Sequence, residues 1–290
     1  MSKRKATKIV RGSHAIDGAG VHLTRVLGNQ TMYDFDPFLM LDGFDSTNPE
    51  DYIKGFPFHP HRGIETVTYL VSGSMEHQDS MGNKGVISDG DCQWMTAGNG
   101  IIHQEMPSAS ERMLGAQLWV NLPKKDKMAD PAYGDLHAKD IPVVQEYGAV
   151  VRVLSGSYKE TKGYFVPKYV DVTYIDFELA PDREFTFEGT PNDETLFVYL
   201  LDGTLAVNDT LDDFEKKGAA VLFKPSTESA EDRDEVVFKA GEDGARLILL
   251  SGKPLKEPIA WGGPIVMNTR EELMKAFDEL DDGTFIKHAR

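Results

Sequence analysis

The feature that most restricts the fold is a series of short apolar or alternating segments, each closely followed by Gly, Asp, Asn or Pro. Such segments lie at residues 67–71, 112–120, 150–154, 169–179, 196–201, 219–223 and 246–250. They have the length of single strands, and turn residues separate them. The pattern therefore predicts an all-β fold made of sandwiches or barrels.

One segment near the C-terminus has the features of a helix instead. Thr269 can cap its first turn, and Leu273 and Phe277 follow at helical spacing. We expect a short helix over about residues 269–282. A second helix could begin near Asp130, because a proline in the next position suits a first helical turn.

Two pairs of segments repeat in the same order along the chain. Residues 69–75 (YLVSGSM) are similar to residues 199–205 (YLLDGTL), and residues 90–96 (GDCQWMT) are faintly similar to residues 218–224 (GAAVLFK). The shared order indicates a duplicated β-domain. The alternative is that any two β-hairpins look alike.

A duplication predicts two domains joined by a linker. The linker is expected within residues 124–147, which are rich in Lys, Asp and Pro. We therefore expect one barrel over residues 1–140 and a second over residues 141–290, the second ending in the helix.

The charge balance excludes some classes of function. The chain has 31 Lys and Arg against 47 Asp and Glu, a formal net charge of −16. Because nucleic acid repels such a chain, we expect no direct nucleic-acid binding, and residues 3–5 (KRK) are expected to form a solvated, frayed terminus.

No apolar run approaches the roughly 20 residues of a membrane span, so no membrane association is expected. A single cysteine, Cys92, and the lack of a secretory signal favour the cytoplasm.

The histidines carry the chemistry that the sequence suggests. His59 and His61 flank a proline, and residues two apart on an extended chain point to the same face. His103 and Glu105 form a second pair with the same spacing. If the two strands face each other inside a barrel, three imidazoles and one carboxylate converge. The alternatives are two solvent-facing loop histidines and an ordinary ion pair.

A site with three nitrogens and one oxygen suits a divalent first-row metal such as Fe, Zn, Cu or Ni. Four protein ligands leave positions open on a six-coordinate ion, so that a substrate or dioxygen can bind. The carboxylate can serve as a ligand, as a proton acceptor, or as both in turn.

Four stretches of the sequence resemble the pirin family of the cupin superfamily. They are residues 59–73 (HPHRGIETVTYLVSG), 90–107 (GDCQWMTAGNGIIHQEMP), 35–42 (FDPFLMLD) and 261–270 (WGGPIVMNTR). The resemblance implies two cupin barrels, the N-terminal one holding a metal that is usually Fe(II), with Zn, Ni, Mn, Co or Cu as alternatives. It also implies an oxidoreductase of the quercetinase type, because some pirins open flavonols such as quercetin with dioxygen. Animal pirins bind transcription factors as nuclear co-regulators.

The resemblance places the metal ligands of pirins on His59, His61, His103 and Glu105 of this sequence. Glu105 would also act as the catalytic proton acceptor. General cupins take their carboxylate from the first motif, where Glu65 stands, so Glu65 is a second candidate.

The second barrel is expected to be without a metal. Beyond the linker only His288 remains, and the segments that match the two motifs, residues 188–194 and 228–235, contain carboxylates but no imidazole. We therefore expect one metal per chain.

Two functions follow as hypotheses. The first is a dioxygenase acting on a small flavonol-like aromatic substrate and O2. The second is an iron-dependent regulatory module that binds a protein partner without turnover.

Several other residues receive structural interpretations. His77 lies on a polar return strand and is expected to be exposed. Cys92 has no basic neighbour and is expected to be a packed residue, as are Trp94 and Trp119. Phe56 and Phe58 could line the cavity beside the metal, but aromatic residues next to strands usually pack, and packing is the expected role.

Overall fold

The computed structural model describes residues 2–208, 211–227, 229 and 231–287. The first strands along the chain are β1 (Ser2–Lys3), β2 (Lys5–Arg11), β3 (Ser13–Asp17), β4 (Val21–Leu27), β5 (Phe38–Ser46), β6 (Phe56–His61), β7 (Ile64–Ser72), β8 (Ser74–Asp79), β9 (Lys84–Ile87), β10 (Cys92–Thr96), β11 (Ile101–Ser108), β12 (Met113–Asn121) and β13 (Ala132–Leu136). They are followed by β14 (Val143–Glu146), β15 (Ala149–Ser155), β16 (Ser157–Tyr158), β17 (Thr161–Lys162), β18 (Val172–Leu179), β19 (Glu184–Pro191), β20 (Thr195–Val207), β21 (Glu215–Lys216), β22 (Ala219–Lys224), β23 (Arg233–Gly252), β24 (Ala260–Gly262) and β25 (Ile265–Met267), and by helix α1 (Arg270–Asp281).

The predicted all-β fold with a short C-terminal helix is confirmed. The second helix expected near Asp130 is wrong, because strand β13 occupies that segment and pairs along its whole length with β10. A proline suited to a first helical turn has less effect here than the cross-strand pairing available to residues 132–136.

The chain forms two compact units, and each is built from two separate stretches. The first unit contains His14–Ala138 and the residues from Leu255 onward, and the second contains the residues up to Ser13 together with Lys139–Pro254. The division expected at residue 140 did not assign the N-terminal residues to the second unit or the C-terminal residues to the first. These assignments depend on pairing between strands that are distant in the sequence. Two independent domains over residues 1–140 and 141–290 stay a prediction.

The second unit has a continuous apolar interior. Most of its described strands form a ten-stranded sheet in which β14, β15, β18, β23, β20, β22 and β2 are successive neighbours, and β16 and β17 form a separate pair. Its interior contains Phe177, Phe187, Phe238, Leu247 and Leu249, each almost fully buried. Such a cluster stabilises a fold by apolar burial.

Residues 3–5 are not a frayed terminus, so that expectation is wrong. Strand β1 pairs in parallel with β23, and β2 pairs with β22. Arg4 is 1% exposed, and its guanidinium donates hydrogen bonds to the carbonyls of Glu194 (2.9 Å) and Pro191 (2.5 Å). Desolvation by burial lowers the pKa of Arg4 to about 10, and the guanidinium remains the charged form at neutral pH.

The first unit contains the residues of the predicted metal site. In the described part of the chain it has a seven-stranded sheet with the order β13-β10-β7-β12-β5-β4-β3 and a four-stranded sheet with the order β6-β11-β8-β9. Among its described apolar residues, Leu70 belongs to one buried cluster and Trp119 to another. Buried polar side chains, among them His61 and Glu105, lie in the same unit.

Helix α1 packs beside the hairpin of β24 and β25. Its N-terminus has a capping box, because the Thr269 hydroxyl accepts a hydrogen bond from the Glu272 amide (3.2 Å) and the Glu272 carboxylate accepts one from the Thr269 amide (3.0 Å). Phe277 on the helix and Ile265 on the hairpin belong to one apolar cluster. The helix therefore supports the hairpin that contributes to the site described below.

Among the described residues, no helix has both the length and the apolar character that a membrane crossing requires.

Candidate metal centre

Two neighbouring strands bring three imidazoles together. His59 and His61 lie two residues apart on β6, so they point to the same face. His103 on β11 lies directly opposite His59 in the antiparallel register. The two strands are hydrogen-bonded neighbours rather than opposite walls of a barrel, which corrects the arrangement expected from the sequence. Pro60 is tolerated because β6 is the edge strand of its sheet.

The three rings are close enough to share one ion. The Nε2 atoms of His59 and His61 are 3.0 Å apart, and one ligand atom from each histidine lies within 4.8 Å of the other two. The ring centroids of His59 and His103 are 4.4 Å apart, and those of His61 and His103 are 5.0 Å apart. A first-row metal bound about 2.0–2.1 Å from each nitrogen fits within this spacing.

Backbone carbonyls indicate the tautomers of two rings. His59 Nδ1 lies 2.9 Å from the carbonyl oxygen of Pro57, and His61 Nδ1 lies 3.1 Å from that of Pro264. A carbonyl can only accept, so each Nδ1 carries the proton and each Nε2 has a lone pair. Two lone pairs 3.0 Å apart repel each other unless a cation lies between them. Such carbonyl partners are typical of histidines that ligate a metal.

The surroundings of His103 also suit a metal ligand. The ring is 1% exposed, and neither of its nitrogens has a hydrogen-bond partner among the residues that the structure describes. Burial lowers the pKa of His103 far below its usual value, and burial together with the charge of His59 lowers the pKa of His61 to about 3. Both rings are therefore neutral, which is the form that binds a metal. The residues present fit a divalent metal ion.

The two candidate carboxylates have different surroundings. Glu105 lines the same cavity as His59 and His61 and accepts a hydrogen bond from the Thr68 hydroxyl (2.9 Å). Glu65 is 1% exposed and accepts hydrogen bonds from Thr96 Oγ1 (2.7 Å) and Trp94 Nε1 (3.2 Å).

Burial raises the pKa of both carboxyls, although their hydrogen-bond donors oppose the shift. Glu105 is the carboxylate that faces the cavity.

The cavity next to the imidazoles has a volume of about 570 Å³ and an aromatic wall. This volume lies within the range of about 300–1,000 Å³ that is usual for small-molecule sites. Trp119 and Trp261 form part of the wall, with ring centroids 5.9 Å apart, and Phe56 contributes a further ring. Flat apolar surfaces of this kind suit a planar aromatic ligand.

Other residues of the site were not found by sequence reasoning. The Pro264 carbonyl that binds His61 is a backbone group, and no sequence pattern marks it. Arg25 and Asp42 line the cavity as an ion pair with Nη2 and Oδ2 2.7 Å apart. Gln117 also lines it. The sequence could have indicated these three residues, because each is a polar side chain within an otherwise apolar strand.

The expected burial of Cys92, Trp94 and Trp119 is confirmed. Phe56 lines the cavity, and Phe58 is exposed, so the packing role expected for Phe58 is wrong. The exposed position expected for His77 is wrong, because it is 2% exposed and lies 3.5 Å from Asp135 Oδ2. Alternate residues of β8 are buried, and His77 is on the buried face.

The described residues of the second unit contain no comparable cluster. Among the residues described, the group that could hold a metal is His59, His61 and His103. His288 and Glu228, on which part of the sequence argument rested, lie outside the described residues. One metal per chain stays a prediction.

Comparison with known proteins agrees with this geometry. Residues 20–120 match the family model described as Pirin, and residues 174–286 match the model described as Pirin C-terminal cupin domain. A pirin-like protein of Caulobacter vibrioides is 43% identical, over 98% of this chain and 100% of its own length. A Pseudomonas aeruginosa protein, named provisionally as a quercetin 2,3-dioxygenase, is 40% identical over 97% of each chain.

Among solved structures, that of quercetin 2,3-dioxygenase from Acinetobacter baumannii superposes with a TM-score of 0.85. The two sequences are 32% identical, and the match covers 98% of this chain and 99% of the other.

Proposed function

The chain belongs to the pirin family, and on this premise we propose that it is a metal-dependent dioxygenase that opens a flavonol such as quercetin with dioxygen. The observation that supports this proposal is the three-imidazole cluster beside an aromatic cavity that also contains Glu105. The quercetin 2,3-dioxygenase name of the A. baumannii structure is further support.

We propose His59, His61, His103 and Glu105 as the ligands of one Fe(II) ion per chain. When bound, the metal would supply a Lewis acid for the substrate oxygen and a redox partner for dioxygen. Zn, Ni, Mn, Co and Cu remain alternatives, because imidazole nitrogens suit several of these ions. Glu65 would have a structural role through its hydrogen bonds to Thr96 and Trp94.

Glu105 would take the proton of the flavonol 3-hydroxyl. Burial raises the pKa of its carboxyl, which makes the carboxylate a better proton acceptor than an exposed one. Loss of that proton makes the ring electron-rich, dioxygen adds to it, and carbon monoxide leaves as the ring opens. Trp119 and Trp261 would hold the planar ring system and keep water from it.

The test uses the complete chain, freed of metal and then loaded separately with iron, manganese, nickel or cobalt. With quercetin under oxygen, we expect loss of the flavonol absorbance and release of carbon monoxide with at least one metal. Glu105→Gln should lower kcat/KM by about 100-fold or more, since general base catalysis contributes roughly 10²–10⁴-fold. Absence of turnover with all four metals would contradict the proposal.

The regulatory alternative stays a prediction, as do a protein partner and a cytoplasmic location. It would be favoured over the enzyme if the metal-loaded protein bound a partner in a metal-dependent way while turnover was absent.

A further inference from the structure

A row of polar side chains crosses the seven-stranded sheet of the first unit. Successive members are direct cross-strand partners on β13, β10, β7, β12, β5 and β4: Asp135, Gln93, Thr68, Gln117, Asp42 and Arg25. Directly paired residues project to the same face of a sheet, so the row forms one polar line. Burying so many polar groups is costly unless they are paired, which indicates that the line has a role.

The centre of this row contacts Glu105. Thr68 is 1% exposed, and its Oγ1 lies 2.9 Å from Glu105 Oε1 and 2.5 Å from the Gln117 side chain. A hydroxyl has one proton, so it cannot donate to both neighbours. With Glu105 ionised, Thr68 donates to the carboxylate, and Gln117 must turn its amide nitrogen toward Thr68. The order of donation is then Gln117 to Thr68 to Glu105.

This order determines which carboxylate oxygen is available. The Oε1 atom of Glu105 accepts from Thr68, and its Oε2 atom accepts no hydrogen bond from the residues that the structure describes.

We infer that Thr68, supported by Gln117, is a positioning residue that holds the Glu105 carboxylate with Oε2 toward the imidazole cluster. The inference rests on the proposed role of Glu105 as a metal ligand. The loss of such a supporting hydrogen bond commonly costs about 10–100-fold in metal affinity.

The experiment measures cobalt(II) binding to the metal-free protein by its visible absorption bands, without reference to turnover. Thr68→Val removes the hydroxyl at nearly constant shape, and Thr68→Ser restores it. Thr66→Val is the matched control, because Thr66 is also 1% exposed, lies on the same face of β7, and makes no side-chain hydrogen bond to a described residue.

We expect Thr68→Val to weaken cobalt binding by about tenfold or more and to change the band pattern. Thr68→Ser and Thr66→Val should both keep the wild-type affinity and spectrum. If Thr68→Val binds cobalt as Thr66→Val does, with the same spectrum, the inference is wrong.

Glu105→Gln, titrated in parallel, distinguishes the ligand role of Glu105 from the positioning role of Thr68. If Glu105→Gln weakens binding and Thr68→Val does not, the positioning role fails and the ligand assignment stands. If neither changes cobalt affinity, both the ligand assignment and the positioning role are overturned.

Discussion

At the residue scale, the site depends on how each imidazole is held. The backbone carbonyls of Pro57 and Pro264 fix the Nδ1 protons of His59 and His61, so both Nε2 lone pairs are aimed before any metal arrives. The arrangement brings two lone pairs to 3.0 Å, which is unfavourable without a cation. A cation bound by both nitrogens would remove this repulsion.

The two candidate carboxylates lead to a direct prediction. The Glu65→Gln variant should retain the metal. In the wild type, the Glu65 carboxylate accepts hydrogen bonds from Thr96 and Trp94 and is therefore not expected to bind the ion. Glu105→Gln should lose about tenfold or more in affinity, since it removes a charged oxygen from the cavity beside His59 and His61. Metal content after dialysis, measured by elemental analysis, distinguishes the two. Equal loss in both variants would contradict the assignment.

The pKa of His61 predicts a dependence of stability on pH. Its folded value of about 3 lies below the ordinary 6.5 of an unfolded chain. Neutral His61 therefore contributes stability that is fully present above pH 6.5 and is lost as the pH falls toward 3. Urea unfolding of metal-free protein between pH 7 and 4.5 should show a steeper decline for wild type than for His61→Gln.

The exposed His14 provides the control for this measurement, and His14→Gln should decline like wild type. Glu65 and Glu105, whose raised pKa values act in the opposite direction, are common to all three proteins. Parallel curves for wild type and His61→Gln would show that His61 is not buried in its neutral form.

Burial was harder to predict from the sequence than ligand identity. His59, His61 and His103 could be found from their spacing, because residues two apart on a strand share a face. The exposure of His77 was predicted wrongly. The alternation of side chains along a strand defines two faces, but it does not show which face lies against a polar interior. Arg4 was misplaced because its partners, the carbonyls of Pro191 and Glu194, lie far away in the sequence.

At the element scale, the hairpin of β24 and β25 provides both a hydrogen-bond partner for His61 and part of the cavity wall. Pro264 lies in its turn, and Trp261 lies on β24 facing the cavity. The segment at residues 261–270 could be associated with pirins from the sequence. Its position beside His61 could not be predicted, because it depends on pairing over a long separation.

Trp261→Ala should weaken quercetin binding while metal content stays constant. An aromatic contact is worth about 0.5–1.5 kcal/mol beyond its buried area, which corresponds to roughly twofold to tenfold in Kd. Fluorescence titration of the metal-loaded protein measures the affinity, and Trp261→Phe, which keeps a ring in the wall, is the control. Unchanged affinity in Trp261→Ala would place the substrate elsewhere.

The capping box of α1 allows a separate stability prediction. Thr269→Ala removes the acceptor for the Glu272 amide and should lower the free energy of unfolding by about 1 kcal/mol. Thr269→Ser keeps the hydroxyl and should remain close to wild type. Urea denaturation compares the three proteins, and an unchanged midpoint for Thr269→Ala would show that α1 does not unfold together with the first unit.

At the scale of the whole molecule, the two units differ in what fills them. The second has a large apolar cluster around Phe177 and Leu247, whereas the first contains the described three-imidazole cluster and a polar row across its sheet. If the proposed metal site is correct, the two units differ in role, and only the first would hold a ligand. The sequence already indicated this difference, because its second half has few imidazoles.

The difference predicts the metal stoichiometry. We expect one equivalent of metal per chain by elemental analysis, since the described residues contain a single three-imidazole cluster. Substituting both His59 and His103 by Ala should reduce the content to near zero. A second equivalent, or metal retained in the double variant, would indicate a further site.

The carbonyl that orients His61 belongs to Pro264, 203 residues further along the chain. During translation, all three histidines leave the ribosome well before that proline is added. Until then, nothing fixes the His61 proton on Nδ1, and the nascent strands present an imidazole that is free to turn. We therefore predict that the proposed ion is loaded after synthesis rather than during it.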